Sequence, residues 1–175
     1  MIIFRFRVTF EEIDEVERII DVRATQTLKD LHTAVLGSVK FKPETAASIY
    51  LSKDNWRKGK RFTDREVEGE ALMSDQRLNV VVNDPQQKFL FITDDEAEWE
   101  LKIEMLRIYK TDVDDFFPKL VKSTGYNPKQ FKVKVVGAPT NEFEKLVDEL
   151  MADDEPDSAS DDDKDPGKEA GDEEE

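Results

Sequence analysis

The chain has 175 residues, 38% of them charged, with a formal net charge of −15 and no cysteine. Lack of cysteine excludes a disulfide framework, a thiolate nucleophile and a thiolate-bound metal centre. The acidity is local: Ala152–Glu175 holds thirteen acids and two lysines, so it carries −11 of the −15 and leaves only −4 on Met1–Met151.

The first ten residues, "MIIFRFRVTF", alternate. Phe4, Phe6, Val8 and Phe10 fall on one side, Arg5, Arg7 and Thr9 on the other, which is the period of a half-buried strand. The stretch is not the continuous apolar run of a secretory signal. "EEIDE" connects it to a second strand, "VERIIDVRA", with Val16, Ile20 and Val22 partly in phase. A hairpin of the two sets Arg5 and Arg7 against Glu17 and Asp21. The period then changes. Leu28, Leu31, Val35, Leu36 and Val39 have helical spacing, Thr27 suits the N-cap, and Asp30 stands where a capping box wants a carboxylate. Gly37 marks the weakening end of this helix, with Pro43 beyond it.

"ASIYLS" reads as a strand and "KDNWRKGKRF" as a turn-rich basic loop. "ALMSDQRLNVVVN" fits either a short helix or a buried strand. "DPQQ" is a turn before the strand "KFLFIT". From Glu98 to Met105 the alternation is strict: Trp99, Leu101, Ile103 and Met105 point inward, Glu98, Glu100, Lys102 and Glu104 outward. Asp94–Asp95–Glu96 between these runs is a hairpin turn. Residues 113–139 carry five prolines and glycines (Pro118, Gly125, Pro128, Gly137 and Pro139) and read as extended segments and loops, with a strand at Phe131–Val136. In "TNEFEKLVDELM", Phe143, Leu146, Val147 and Leu150 form the stripe of an amphipathic helix. Beyond Met151 the composition is too polar to offset ordering entropy, so disorder is expected.

The expected architecture is therefore α+β: a β-grasp-like mixed sheet with one packed helix, a second C-terminal amphipathic helix, and a disordered acidic tail. Residues 1–151 form the domain and 152–175 the tail. No apolar run approaches the ~20 residues that a spanning helix needs, and the expected protein is cytoplasmic, monomeric and without membrane contact.

Three features bear on chemistry. His32, the one histidine, borders the apolar stripe of the first helix. It is a general base or metal ligand, or a packed ring with its nitrogen on a backbone carbonyl; the second reading is preferred. Asp94 and Asp95 in the hairpin supply two oxygens, short of the convergent set that a hard cation requires, so no metal is assigned. "WRKGKRF" interleaves Arg57, Lys58, Lys60 and Arg61 with Trp56 and Phe62. That pattern can hold an anion or a phosphate backbone and stack a base, or contact the protein's own acidic tail, or it is a solvated loop. The phosphate-cradling glycine motifs are missing. No catalytic residue and no cofactor is assigned.

Four stretches together, "FRVTFEEIDEVERIIDV", "QTLKDLHTAVL", "SIYLSKDNWRKGKRF" and "DPQQKFLFITDDEAEWELKIEML", resemble the plasmid pRiA4b ORF-3-like family of mobile-element passenger proteins, over about Ile3 to Pro128. The resemblance implies an α+β fold with no settled biochemical activity, in bacteria. A Tyr-Asp-Phe-Gly-Asp-x-Trp hairpin typical of the family is replaced here by "FITDDEAEW". The sequence reading is a non-enzymatic protein-interaction module with an unknown protein partner. The alternative is a nucleic-acid-associated accessory protein of a mobile element. A hydrolytic or metal-dependent enzyme using His32 with Asp94 or Asp95 comes third.

Overall fold

A computed structural model describes residues 1–95 and 97–130. Strand β1 (Ile2–Phe10) buries Phe4, Phe6, Val8 and Phe10, as its alternation requires. It pairs antiparallel with β2 (Glu17–Arg23), which brings Ile20 and Val22 to the same core. The chain then enters α1 (Leu28–Ser38) through a complete capping box. The Thr27 hydroxyl accepts from the Asp30 N–H, and the Asp30 carboxylate accepts from the Thr27 N–H at 2.7 Å. Each of Leu28, Leu31, Val35 and Leu36 is fully buried, and burial of such side chains stabilises by roughly 1.5–3 kcal/mol apiece.

Next come β3 (Ala47–Ser52), β4 (Arg61–Thr63) and β5 (Ala71–Leu72). The ambiguous stretch around Leu78 is both short and mixed: β5 runs into a 3₁₀ turn (Met73–Asp75), followed by the single-turn helix α2 (Leu78–Val81). Then follow β6 (Lys88–Thr93), β7 (Glu100–Lys110) and β8 (Lys119–Thr124). Residues 119–124 thus form a regular strand where the Pro- and Gly-containing sequence suggested only extended segments; pairing with β2 decides it.

The eight strands make one sheet in the order β5-β4-β3-β6-β7-β1-β2-β8. All neighbours are antiparallel except the parallel β4–β5 pair. The fold is mixed α+β, mostly sheet, with one main helix. α1, α2 and the 3₁₀ turn pack on one face around a shared apolar cluster. The β1–β2 hairpin leads into a helix, and the sheet extends well beyond these elements. β1 lies between β2 and β7 and runs antiparallel to both.

Cross-strand charges are only partly as expected. Arg5 does face Asp21, with Nε and Nη2 both 2.7 Å from the carboxylate. Arg7 does not meet Glu17. It reaches across to Glu104 on β7 at 2.5 Å, and Glu17 pairs with Lys122 of β8 at 3.1 Å. The reason is register: Arg7 stands opposite Ile19, and Thr9 opposite Glu17.

Arg18 is the exception on the core face, 1% exposed between Val16 and Ile20. No carboxylate pairs with it among the described residues. Its donors go to the carbonyls of Ser38 at 2.9 Å, Glu17 at 2.8 Å, Thr124 and Gly125, and to Asn127 Oδ1 at 2.5 Å. Desolvation pulls its pKa down. The negative end of α1 and the saturated donor set keep the buried cation tolerable, so Arg18 pins the end of α1 to the end of β8. The strand expected at Phe131–Val136, the helix at residues 141–151, the boundary after Met151 and the acidic tail lie outside the described residues.

Candidate functional site

The β3–β4 connection is the densest basic segment of the sequence, and the structure distributes its residues unevenly. Phe62 is 2% exposed and belongs to the core, because its register partner on β3 is Ile49. It is no surface contact. Arg61 is half-buried and donates from Nε and Nη2 to Ser48 Oγ at 3.1 and 2.8 Å. Ser48 in turn donates to the Asp94 carboxylate, with oxygens at 3.1 and 3.2 Å. The fold thereby joins Arg61 to Asp94 through a buried hydroxyl and removes both from any independent role.

Trp56 has φ 56 and is half-buried. Its ring lies outside the apolar core, with the Lys88 and Lys102 ammonium groups 5.2 and 5.4 Å from its centroid. Lys88 also pairs with Asp54 at 3.1 Å. Lys58 lies 5.3 Å from the Tyr50 ring centroid and Lys60 5.3 Å from that of Phe62. Arg57, Lys58 and Lys60 are exposed, and so is Lys53 at the head of the loop. None of these four pairs with a carboxylate among the described residues.

The loop is shaped by close backbone contact. Gly59 donates its N–H to Leu51 O at 2.8 Å, and a Cβ there would stand 2.5 Å from that same oxygen. Between this loop and the Asn83–Lys88 turn is a cleft of about 690 Å³, with Lys53, Asp54, Arg57, Lys58, Gln87 and Lys88 on its walls. That is the size of a ligand cleft. Its hydroxyl, Ser52, donates to Lys53 O at 3.3 Å and Arg57 O at 2.9 Å, and no histidine lines it. The cleft has donors, charge and room, but no paired nucleophile and base.

His32 is elsewhere. It is fully buried on α1 and stacked on Phe91, with centroids 5.5 Å apart and an interplanar angle of 28°. Its Nδ1 lies 3.4 Å from Lys29 Nζ, and its Nε2 is buried without a close hydrogen-bond partner among the described residues. Burial and the Lys29 charge pull its pKa down to about 4, against weaker opposite pulls from Asp64 and the Thr45 backbone. The ring is packed as the preferred reading has it, with the Thr45 backbone acting on it.

Asp95 shapes the β6–β7 hairpin. Its Oδ1 accepts from Thr93 Oγ1 at 2.8 Å, Ala97 N at 3.1 Å and Glu98 N at 3.2 Å, the local bonding that suits Asp to turns. Its Oδ2 is 3.4 Å from Gln130 Nε2. Trp99 is 5% exposed, as the alternation predicts, and donates Nε1–H to Gln130 O at 2.6 Å. Among the described residues, no three His, Asp or Glu side chains converge as metal ligands, and no helix is long and apolar enough to cross a membrane. Ser48 and Lys53 were not singled out in the sequence. Lys53 shares the charge of the loop and was there to be found, whereas Ser48 has no signal before the strands pair.

Comparison with solved structures finds the crystal structure of a protein of unknown function, MM3350 from Methanosarcina mazei Go1. The TM-score is 0.63 with 14% sequence identity, over 89% of this chain and 84% of that one. At that identity the likeness is one of fold. A search of curated proteins gives no match. The sequence profile of the plasmid pRiA4b ORF-3-like proteins matches residues 2–162, nearly the whole chain, and the protein belongs to that family.

Proposed function

We propose that the protein is a non-enzymatic interaction module, and that the β3–β4 loop with its cleft takes an acidic segment of a protein partner. The observation that supports this is the group of exposed cations Lys53, Arg57, Lys58 and Lys60, without carboxylate partners among the described residues, beside a cleft of about 690 Å³. The missing nucleophile–base pair favours binding over hydrolysis. A protein partner is favoured over nucleic acid because the aromatic rings are engaged. Trp56 is covered by two lysines, Tyr50 is approached by Lys58 and Arg61, and Phe62 is in the core. Among the described residues of this loop, no ring is left as a free platform on which a base can stack. The net charge of −15 also opposes a nucleic-acid strand, with its dense run of phosphates, more than a short acidic segment. The cysteine-free composition supports a cytoplasmic setting, and the family resemblance supports passage on mobile elements.

The experiment is affinity purification of the full chain from its native host beside a variant carrying Arg57→Glu, Lys58→Glu and Lys60→Glu, each with and without nuclease. The native chain is expected to retain acidic proteins that resist nuclease and are lost from the variant. Retention that disappears with nuclease favours the nucleic-acid alternative. Identical profiles for both chains remove the loop from the binding site.

A further inference from the structure

A second site is built where the alternation of β7 slips. Trp99, Leu101, Ile103 and Met105 point into the core, so an unbroken strand would send Arg107 and Tyr109 the same way. The β1–β7 register shifts between Arg5 and Phe6: Met105 stands opposite Phe6, but Arg107 stands opposite Arg5. Leu106 is the extra residue of a β-bulge, and such bulges re-aim the side chains that follow. Arg107 and Tyr109 are thereby moved to the face of Arg5 and Asp21, away from α1.

The result is a compact polar cluster. Tyr109 OH donates to Asp21 Oδ2 at 2.6 Å, and the Asp21 side chain is only 4% exposed. Arg5 holds Asp21 through Nε and Nη2. The guanidinium carbons of Arg5 and Arg107 lie 5.4 and 5.1 Å from the centroid of the Tyr109 ring. Arg107 is exposed and pairs with no carboxylate among the described residues. Beside this group is a cavity of about 270 Å³ whose walls include Arg5, Asp21, Tyr109, Thr111, Asp115 and Lys119. Like charges directly opposite on neighbouring strands repel; Asp21, bonded to Arg5 and within the field of Arg107, offsets part of that repulsion, and a further anion beside exposed Arg107 would offset more. Around the cavity Arg5 pairs with Asp21 and Lys119 with Asp115, so Arg107, against the Tyr109 ring, is the cation of this group left to meet an anion. Guanidinium groups offer the fork of donors that suits oxyanions.

We infer that the Arg5–Arg107–Tyr109 cluster is a binding site for a small phosphate-type oxyanion, free or as a monoester, distinct from the basic loop. Asp21 is a positioning residue that fixes Arg5 and the Tyr109 hydroxyl. The test is an NMR titration of the full chain at low salt with inorganic phosphate and, separately, O-phosphoserine, with chloride at equal ionic strength as the reference. Saturable shifts are expected at Arg107, Tyr109 and Thr111 with at least one phosphate probe. Arg107→Ala should weaken binding at least tenfold, Arg107→Lys less, and Lys58→Ala not at all. Arg107 is exposed, so its variants keep the fold, and their unshifted amides report this directly. Tighter binding of O-phosphoserine identifies a monoester ligand, and tighter binding of phosphate the free ion. Shifts no larger than those from chloride, or equal affinity in Arg107→Ala, would overturn the assignment. Neither result bears on the basic loop.

Discussion

The Arg61 guanidinium is bonded twice to the Ser48 hydroxyl, at 3.1 and 2.8 Å, and the Ser48 hydroxyl donates in turn to the Asp94 carboxylate. A cation from the basic run is thus spent on tying β4 through β3 to the β6–β7 hairpin. Arg61→Ala should therefore destabilise by about 1–2 kcal/mol, because it leaves a buried hydroxyl short of donors. Arg57→Ala, at an exposed position, should stay within about 0.5 kcal/mol of the native protein. Urea unfolding of both variants checks this, and equal losses would show that the two arginines are not partitioned as described.

Trp99 packs edge-on against Phe10 at 5.5 Å and also meets Phe41, besides its bond to Gln130. Trp99→Ala should cost about 3–5 kcal/mol. A loss below about 1 kcal/mol in denaturant melts would contradict its core placement.

His32 titrates near pH 4 in the folded protein against 6.5 for the free side chain. Between those values the unfolded chain binds the proton and the native one does not, so stability rises with pH across that window. The contribution is complete above the unfolded value and is lost as pH falls towards 4, by about 3 kcal/mol in all. Stability curves of native protein and His32→Phe, measured from pH 4 to 7, should diverge in slope over this range. Parallel curves would mean that His32 is not the titrating group.

Arg18 should be the least replaceable of the arginines. Arg18→Ala removes the partners of carbonyls on α1, β2 and β8 at once, and should cost at least about 3 kcal/mol. Hydrogen exchange should show β8 amides losing protection before those of β1. Uniform loss across the sheet would argue against a pin between α1 and β8.

What was legible in the sequence was local. The capping box needs only Thr27 and Asp30, three positions apart, and the β6–β7 hairpin follows from strict alternation beside turn residues. The burial of Arg18 was not legible, because its acceptors come from α1, β2, β8 and the loop beyond, joined only by folding. Phe62 read as a surface aromatic because its neighbours are basic; pairing with Ile49 overrides that composition. The bulge left a trace: Met105, Leu106 and Ile108 break the phase of the preceding alternation. That trace states that the strand slips, but not that Arg107 then meets Arg5, which depends on the β1 register. β8 depends on β2 in the same way.

The central claim is that the exposed cations of the β3–β4 loop receive an acidic protein segment. The most direct measurement is titration of the full chain with an Asp/Glu-rich peptide, read by the backbone amides of the loop. Each exposed ion pair is worth little and is screened by salt, so the account predicts saturable shifts from Lys53 to Lys60 at low salt. These should weaken as salt rises and vanish when Arg57, Lys58 and Lys60 are changed to glutamate. Loop amides that do not move at low salt, or a charge-reversed chain that binds the peptide equally well, would contradict it.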